Sequence, residues 1–373
     1  MGESLSLQDV CSEIVDCVNR TAPEDPDGEF FAIGTPAMRG NQINLAEARR
    51  LSREVFDRWT RRLVPKGGDI LLAREAPVGP VVRVPDGGIY AAGQRTTHLR
   101  ANPEMVDPRF LYYLLISPEV QQRILAGAMG STVPHLRVAD VKALPLPDLP
   151  NPKTQRAIAE ILGALDDKIA ANQLVVQLLD NIGESAVVQK ASTTSSVELR
   201  AVADLAYGKA LPVASRSTGN VLVYGSGGVV GFHDTALVNG PGIVIGRKGT
   251  VGALYWAAGP HFPIDTTYYV VPKQGVSPHI LYFALRKARL NELNSDSAVP
   301  GLNREEAYGQ HVRIPIGSDS EQLANQLQYQ FALAASVQDE SRRLAETRDR
   351  LLPLLMSGKV TIKDIEGDIE DIV

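Results

Sequence analysis

Gly68-Asp69-Ile70-Leu71-Leu72-Ala73-Arg74-Glu75-Ala76-Pro77-Val78-Gly79 has a second version in Pro241-Gly242-Ile243-Val244-Ile245-Gly246-Arg247-Lys248-Gly249-Thr250-Val251-Gly252. At an offset of 173, Ile70 meets Ile243, Arg74 meets Arg247, Val78 meets Val251 and Gly79 meets Gly252. Working outward at an offset of 170, Thr96-Thr97 meets Thr266-Thr267, and Phe110-Leu111-Tyr112-Tyr113-Leu114-Leu115 meets Ile280-Leu281-Tyr282-Phe283-Ala284-Leu285. Val133-Pro134 meets Val299-Pro300 four residues earlier, and the halves close on Leu144-Pro145-Leu146-Pro147 and Ile314-Pro315-Ile316. It is the collinear order of these matches that identifies one domain plan used twice. The starts, Leu7-Gln8-Asp9-Val10 and Leu199-Arg200-Ala201-Val202, match at an offset of 192, so the first domain carries about 20 extra residues before Gly68.

Each half reads as mixed α/β. Apolar runs predict strands over 69–73, 88–91, 242–245 and 268–271, and a helix over 108–117. A long helical period follows each closing proline segment. Apolar residues fall at Ile158, Ile161, Leu162, Leu165, Ile169, Val176, Leu179 and Ile182, then at Leu323, Leu327, Phe331, Ala334, Val337, Leu344, Leu351 and Leu355. Such a one-sided stripe over roughly 30–35 residues wants a partner helix. Because the chain leaves one helix, builds a domain and returns, the expected pairing is antiparallel, with Leu165, Ile169, Val176 and Leu179 against Phe331, Val337 and Leu344. Asn172 lies on the seam, where it either fixes register or rotates out to solvent. The segment 190–197, rich in Ser and Thr, reads as a linker; Asp319 and Ser320 supply cap residues, and Gly358 a stop. The expected layout is a first domain over 1–150, a helix over 151–190, a second domain over 191–318, a helix over 319–358 and an acidic tail over 359–373.

The 373 residues, 44% of them hydrophobic and 22% charged, suit two or three soluble domains. No apolar run approaches the roughly 20 residues of a membrane helix, and the start lacks a basic and apolar leader, so a cytoplasmic protein is expected. Cys11 and Cys17 are too few for a disulfide framework and lack zinc spacing. His98, His135, His233, His261, His279 and His311 never fall at ligand spacing. Gly225-Ser226-Gly227-Gly228-Val229-Val230-Gly231 resembles a dinucleotide loop, but the third glycine comes late and no helical pattern follows. No phosphate-binding Gly-Lys-Ser/Thr loop occurs. Asn151-Pro152-Lys153-Thr154 lacks the second proline and the aromatic of an adenine-methyltransferase motif. No catalytic constellation emerges.

The net charge of −5 argues mildly against nucleic-acid binding. Between Arg39 and Arg100, however, twelve basic residues face six acidic ones. Arg61, Arg62, Lys66, Arg74 and Arg95, with Lys209, Arg247 and Lys248 in the second half, are the candidate DNA contacts. They lie near glycine-rich turns that can bring charge close to phosphates, and bidentate arginine is the commonest reader of guanine. A salt bridge or a solvated face remains open for each. Arg74 and Arg247 share a repeat position, so both can serve the fold or the phosphate backbone rather than sequence choice.

Several stretches resemble the specificity subunits of type I restriction–modification enzymes. They are 65–79, 130–136, 224–231 and 246–252, then Gln155-Arg156-Ala157-Ile158-Ala159-Glu160-Ile161-Leu162-Gly163-Ala164-Leu165-Asp166-Asp167-Lys168-Ile169, and Arg350-Leu351-Leu352-Pro353-Leu354-Leu355-Met356-Ser357-Gly358. The resemblance spans nearly the whole chain, although the last helix opens as a diverged copy of the first. It implies two target-recognition domains, each followed by a helix, with the helices packed antiparallel as a coiled-coil spacer in a pseudo-twofold plan. It further implies double-stranded DNA as ligand, two modification subunits and restriction subunits as partners, and no cofactor in this chain. S-adenosylmethionine and ATP with magnesium would sit on the partners. A stand-alone DNA-modifying enzyme would need a motif that is missing, and a coiled-coil scaffold without nucleic acid leaves the duplicated domains unexplained.

Overall fold

The computed structural model describes residues 5–129, 134–192, 194, 196–293, 301–315, 318–362 and 364. The first repeat contains β1 (Cys11–Asp16), β2 (Phe30–Ile33), β3 (Met38–Arg39), β4 (Gln42–Ile43), β5 (Arg49–Leu51), α1 (Arg53–Thr60), β6 (Ile70–Arg74), β7 (Val78–Arg83), β8 (Tyr90–Ala92), β9 (Thr96–Ala101), α2 (Pro108–Ile116), α3 (Pro118–Ala126) and α4 (Val138–Lys142). The long helix α5 (Pro152–Ala191) follows. The second contains β10 (Val197–Glu198), α6 (Leu199–Val202), β11 (Ala203–Tyr207), β12 (Val221–Gly225), β13 (Gly228–His233), β14 (Gly242–Gly246), β15 (Leu254–Ala257), β16 (His261–Pro263), β17 (Thr267–Pro272), α7 (Pro278–Lys287), α8 (Arg304–Tyr308) and β18 (His311–Val312), and the long helix α9 (Ser318–Met356) closes it.

The duplication is visible in sheet topology. One antiparallel sheet runs β1-β9-β6-β7 in the first repeat and β11-β17-β14-β15 in the second. A smaller sheet runs β5-β2-β8 or β13-β12-β16, with its first pair antiparallel and its second parallel. The extra residues of the first repeat lie between β2 and β6, as the ribbon β3–β4 and helix α1, where the second repeat makes a direct β12–β13 hairpin. The expected strands and helix all form. The Val133/Val299 match and the tail beyond Asp364 lie outside the described residues.

Local chemistry explains the elements. Ile70, Leu71, Leu72 and Ala73 are buried on both faces of β6, as a central strand requires. Asp107 caps α2, accepting the amides of Arg109 and Phe110 at 2.9 Å each, with Pro108 in the first turn. Asn151 caps α5 through the amide of Thr154 at 3.0 Å, which gives the Asn-Pro-Lys-Thr stretch a purely structural explanation. Gly358, at φ +66, closes the far end of α9. The near end differs from expectation: α9 begins at Ser318, so Asp319 and Ser320 lie inside its first turn.

Contacts divide the chain into two units, Met1–Ile169 with Arg343–Val373, and Ala170–Arg342, so each long helix contributes a part to each unit. In the first unit Ile158 and Leu162 share a core with Leu352 and Leu355, while Arg348 Nη1 meets Asp166 Oδ1 at 2.6 Å. In the second, Asn172 Nδ2 donates to Glu340 Oε2 at 2.8 Å, and Val187 packs with Leu323 and Leu327. Numbers rise on α5 as they fall on α9, so the helices run antiparallel within each unit. Asn172 is buried on the seam rather than turned to solvent.

Of the seven expected seam residues only Ile169 is fully buried; Leu165, Val176, Leu179, Phe331, Val337 and Leu344 are half-buried. Ile182, expected on the stripe, is 51% exposed. Full burial of a leucine stabilises by about 2 kcal/mol, so Leu162, Leu327, Leu352 and Leu355 carry more of the pairing than the middle does. The fold reaches these anchors through α2 and α7. Tyr113 Oη donates to Asp166 at 2.6 Å, and Phe283 packs so closely on α5 that a Cβ at Gly183 would lie 2.7 Å from its ring.

Candidate nucleic-acid interface

The first unit has a cleft of about 560 Å³ whose lining includes Asp16, Arg20, Trp59, Arg61, Arg62 and His98. The insert supplies its basic wall, because α1 carries Arg58 and Trp59 and is followed by its C-cap residue Arg61. Arg61, Arg62 and Lys66 are exposed, and Arg62 Nη1 donates to the carbonyl of Asp16 at 3.5 Å. Much of the remaining basic excess belongs to the fold. Arg49 pairs with Glu24 at 2.8 Å and Arg95 with Glu75 at 3.5 Å, while Arg53 and Arg58 lie 5.2 and 5.1 Å over Phe30 and Trp59.

Arg74 pairs with Asp16, and its Nη1 donates to the Leu136 carbonyl at 2.9 Å, leaving the side chain 15% exposed. Its amide donates to the Arg95 carbonyl at 2.8 Å, and its carbonyl accepts the amide of Leu136 at 2.9 Å. Arg247 repeats that backbone frame, to Thr266 and from Leu302, at 2.8 Å each. The side chain does something else. Its guanidinium donates to the Asp265 carbonyl at 2.6 Å and lies 5.4 Å over Tyr207 and 5.9 Å over Tyr268.

Strand register gives the reason. Asp16 stands opposite Thr97 on β9, and Tyr207 opposite Tyr268 on β17. A tyrosine thus occupies the position from which an aspartate neutralises Arg74, and no carboxylate pairs with Arg247 among the described residues. Arg304 stacks 5.1 Å from the same Tyr207, which is 49% exposed, and Lys209 and Lys248 are exposed nearby in the chain. Gly208 fixes this segment, because a Cβ there would lie 2.1 Å from the Ile264 carbonyl. Arg20, Trp59, Tyr207 and Arg304 were not singled out from sequence; aligning β1 with β11 would have exposed the Asp16-to-Tyr207 change.

The β3–β4 ribbon marks a second difference between repeats. Asn41, in its turn, caps the amide of Val81 at 3.2 Å and accepts Tyr112 Oη at 3.0 Å. The equivalents, Leu254 and Tyr282, instead line a cavity of about 430 Å³ with Tyr224, Tyr255, Trp256 and Phe331.

Buried polar groups serve the fold. His261 donates through Nδ1 to the carbonyls of Gly259 and Gly240, at 2.9 and 3.1 Å, and burial lowers its pKa. Burial alone would raise the Asp69 carboxyl, but hydrogen bonds from His98, Arg100 and the Lys66 amide outweigh it and hold the pKa at about 2. Burial pushes the Cys11 thiol up to about 12. Among the described residues no three His, Cys, Asp or Glu side chains gather as a metal site, and no helix is long and apolar enough to cross a membrane.

Residues 19–179 match the family model described as type I restriction modification DNA specificity domain. Over that stretch, fewer than half of its residues, the chain is similar to type I specificity domains. It is 31% identical over 124 residues to the HindI specificity subunit of Haemophilus influenzae, covering 32% of this chain and 27% of that relative. To the MjaIX specificity subunit of Methanocaldococcus jannaschii it is 28% identical over 134 residues, or 36% and 30% of the two chains. The matched part is thus about a quarter to a third of these relatives' length. The crystal structure of a type I system S subunit from M. genitalium shares the fold, with a TM-score of 0.60 at 19% identity over 95% of this chain and 97% of that one.

Proposed function

We propose that this chain is the sequence-reading DNA adaptor of a type I restriction–modification complex, with each repeat domain reading one half of a bipartite duplex target. The observation that carries the proposal is the duplicated arginine frame. Arg74 and Arg247 sit in the same backbone hydrogen bonds, yet their surroundings differ, as two domains reading different half-sites require. Exposed basic residues, Arg61, Arg62 and Lys66 in one unit and Lys209 and Lys248 in the other, would meet phosphates or base edges.

Methyl transfer and cleavage belong, in this proposal, to two modification subunits and to restriction subunits, which hold S-adenosylmethionine and ATP with magnesium. Leu174, Leu178 and Ile182, each at least half exposed, form a stripe on the side of α5 opposite its seam and support attachment of a protein partner there. Methylome sequencing of a host with and without the gene tests the reading. A bipartite methylated motif that vanishes with the gene is expected; an unchanged methylome, or methylation by the purified chain alone, overturns it.

A further inference from the structure

One buried carboxylate fastens the basic segment of the first unit. Asp69 is 5% exposed and accepts four hydrogen bonds: Arg100 Nε at 2.9 Å and Nη2 at 2.7 Å, His98 Nε2 at 2.7 Å and the Lys66 amide at 2.8 Å. Arg100 Nη2 also donates to the Val64 carbonyl at 2.9 Å. The segment joining α1 to β6, which holds Arg61, Arg62 and Lys66, is thereby tied to β9 at Val64 and Lys66. His98 itself lines the cleft beside Arg61 and Arg62.

The second repeat shows what the network is not for. Register places Gly242 where Asp69 stands, Tyr269 where His98 stands and Val271 where Arg100 stands. The same four-stranded order forms there without any of the three. The sheet therefore does not need the network. Among its described residues the second repeat also lacks α1 and its basic segment, so network and insert occur together and are missing together.

We infer that Asp69, with His98 and Arg100, is a positioning residue that presents Arg61, Arg62 and Lys66 to duplex DNA, an inference that rests on the DNA-reading proposal. Without the carboxylate the segment keeps its charges but loses its fixed placement. The network then acts on binding only through the three basic residues it places. An effect of Asp69 on DNA must disappear once those side chains are gone.

The test is a mutant cycle in the full chain, titrated with a fluorescent random-sequence duplex over a range of salt. Each phosphate contact is worth about eightfold in the binding constant at ~0.1 M salt relative to 1 M. Arg61→Ala with Arg62→Ala should weaken binding and flatten the salt slope, and Asp69→Asn should do so in part. In the Arg61→Ala, Arg62→Ala, Lys66→Ala background Asp69→Asn should leave affinity unchanged. An arginine effect with no Asp69→Asn effect, or equal Asp69→Asn losses in both backgrounds, overturns the positioning role while the DNA reading stands. An arginine pair without effect overturns the DNA assignment of the cleft, and this inference with it. His98→Gln, which spares the carboxylate and Arg100, provides a milder variant should Asp69→Asn fail to fold, and the same pattern is expected of it.

Discussion

Alanine replacements of Arg74 and Arg247, made singly, should have opposite signatures although the residues share one repeat position. Arg74→Ala removes the ion pair to Asp16 and the hydrogen bond to the Leu136 carbonyl. Hydrogen bonds to charged groups are worth about 1.5–3 kcal/mol. Asp16 stays 35% exposed, so water recovers part of the loss and the expected cost is about 2 kcal/mol. For a unit of this size that lowers the melting temperature by roughly 4–8 °C. Arg247→Ala loses a carbonyl partner and two ring faces, so its cost is smaller, about 1 kcal/mol. If Arg247 is a phosphate contact, its loss should flatten the slope of log K against log salt by about 0.9. Anisotropy with a random-sequence duplex across salt, beside calorimetric melting of the same variants, reads both quantities. Arg74→Ala flattening the slope as much as Arg247→Ala at unchanged stability would refute the division of roles.

Other consequences can be measured by denaturation. The Asp69 pKa is depressed to about 2, so its stabilisation is complete above the ordinary carboxylate value of 3.8 and disappears as pH falls toward 2. The wild type should lose about 2 kcal/mol across that window, and Asp69→Asn should show a flatter acid profile. Gly183→Ala would place a methyl group 2.7 Å from Phe283 and 3.1 Å from Leu327; overpacking of about 1–3 kcal/mol should exceed the helix-propensity gain of about 1 kcal/mol, and a more stable variant would contradict the close packing described. Arg348→Ala leaves Asp166 with Tyr113 alone and should cost about 2 kcal/mol in urea titrations; an unchanged midpoint would show that the pair contributes nothing.

The repeat, the strands and the two helices were legible because they rest on periodicity and order. The two roles of the shared arginine were not. Arg74 and Arg247 align at an offset of 173, whereas Asp16 and Tyr207 align at 191, because the insert lies between them. An alignment at one offset therefore hides the partner that decides the side chain's fate. Asp69 lies 29 and 31 residues from His98 and Arg100, and only strand register brings them together. The seam was partly legible. With apolar residues on both sides of the second half of α5, the 3.6-residue period cannot say which face is buried, so Ile182 was assigned to the wrong side.

A net charge of −5 and a DNA-reading function are compatible only if few positive charges are spent on phosphates. Of the twelve basic residues between Arg39 and Arg100, Arg49, Arg53, Arg74, Arg95 and Arg100 are ion-paired within the fold. Among the described residues, the candidates without an acidic partner are Arg61, Arg62 and Lys66 in one unit and Lys209, Arg247 and Lys248 in the other. Six contacts would give a salt slope no steeper than about −5. Uniform attraction to phosphates is then modest, and under the proposed function selectivity would come from base edges and from the proposed partners' own contacts. That division suits the proposed adaptor better than an enzyme that must hold duplex DNA alone, because such an adaptor would place a complex rather than anchor it.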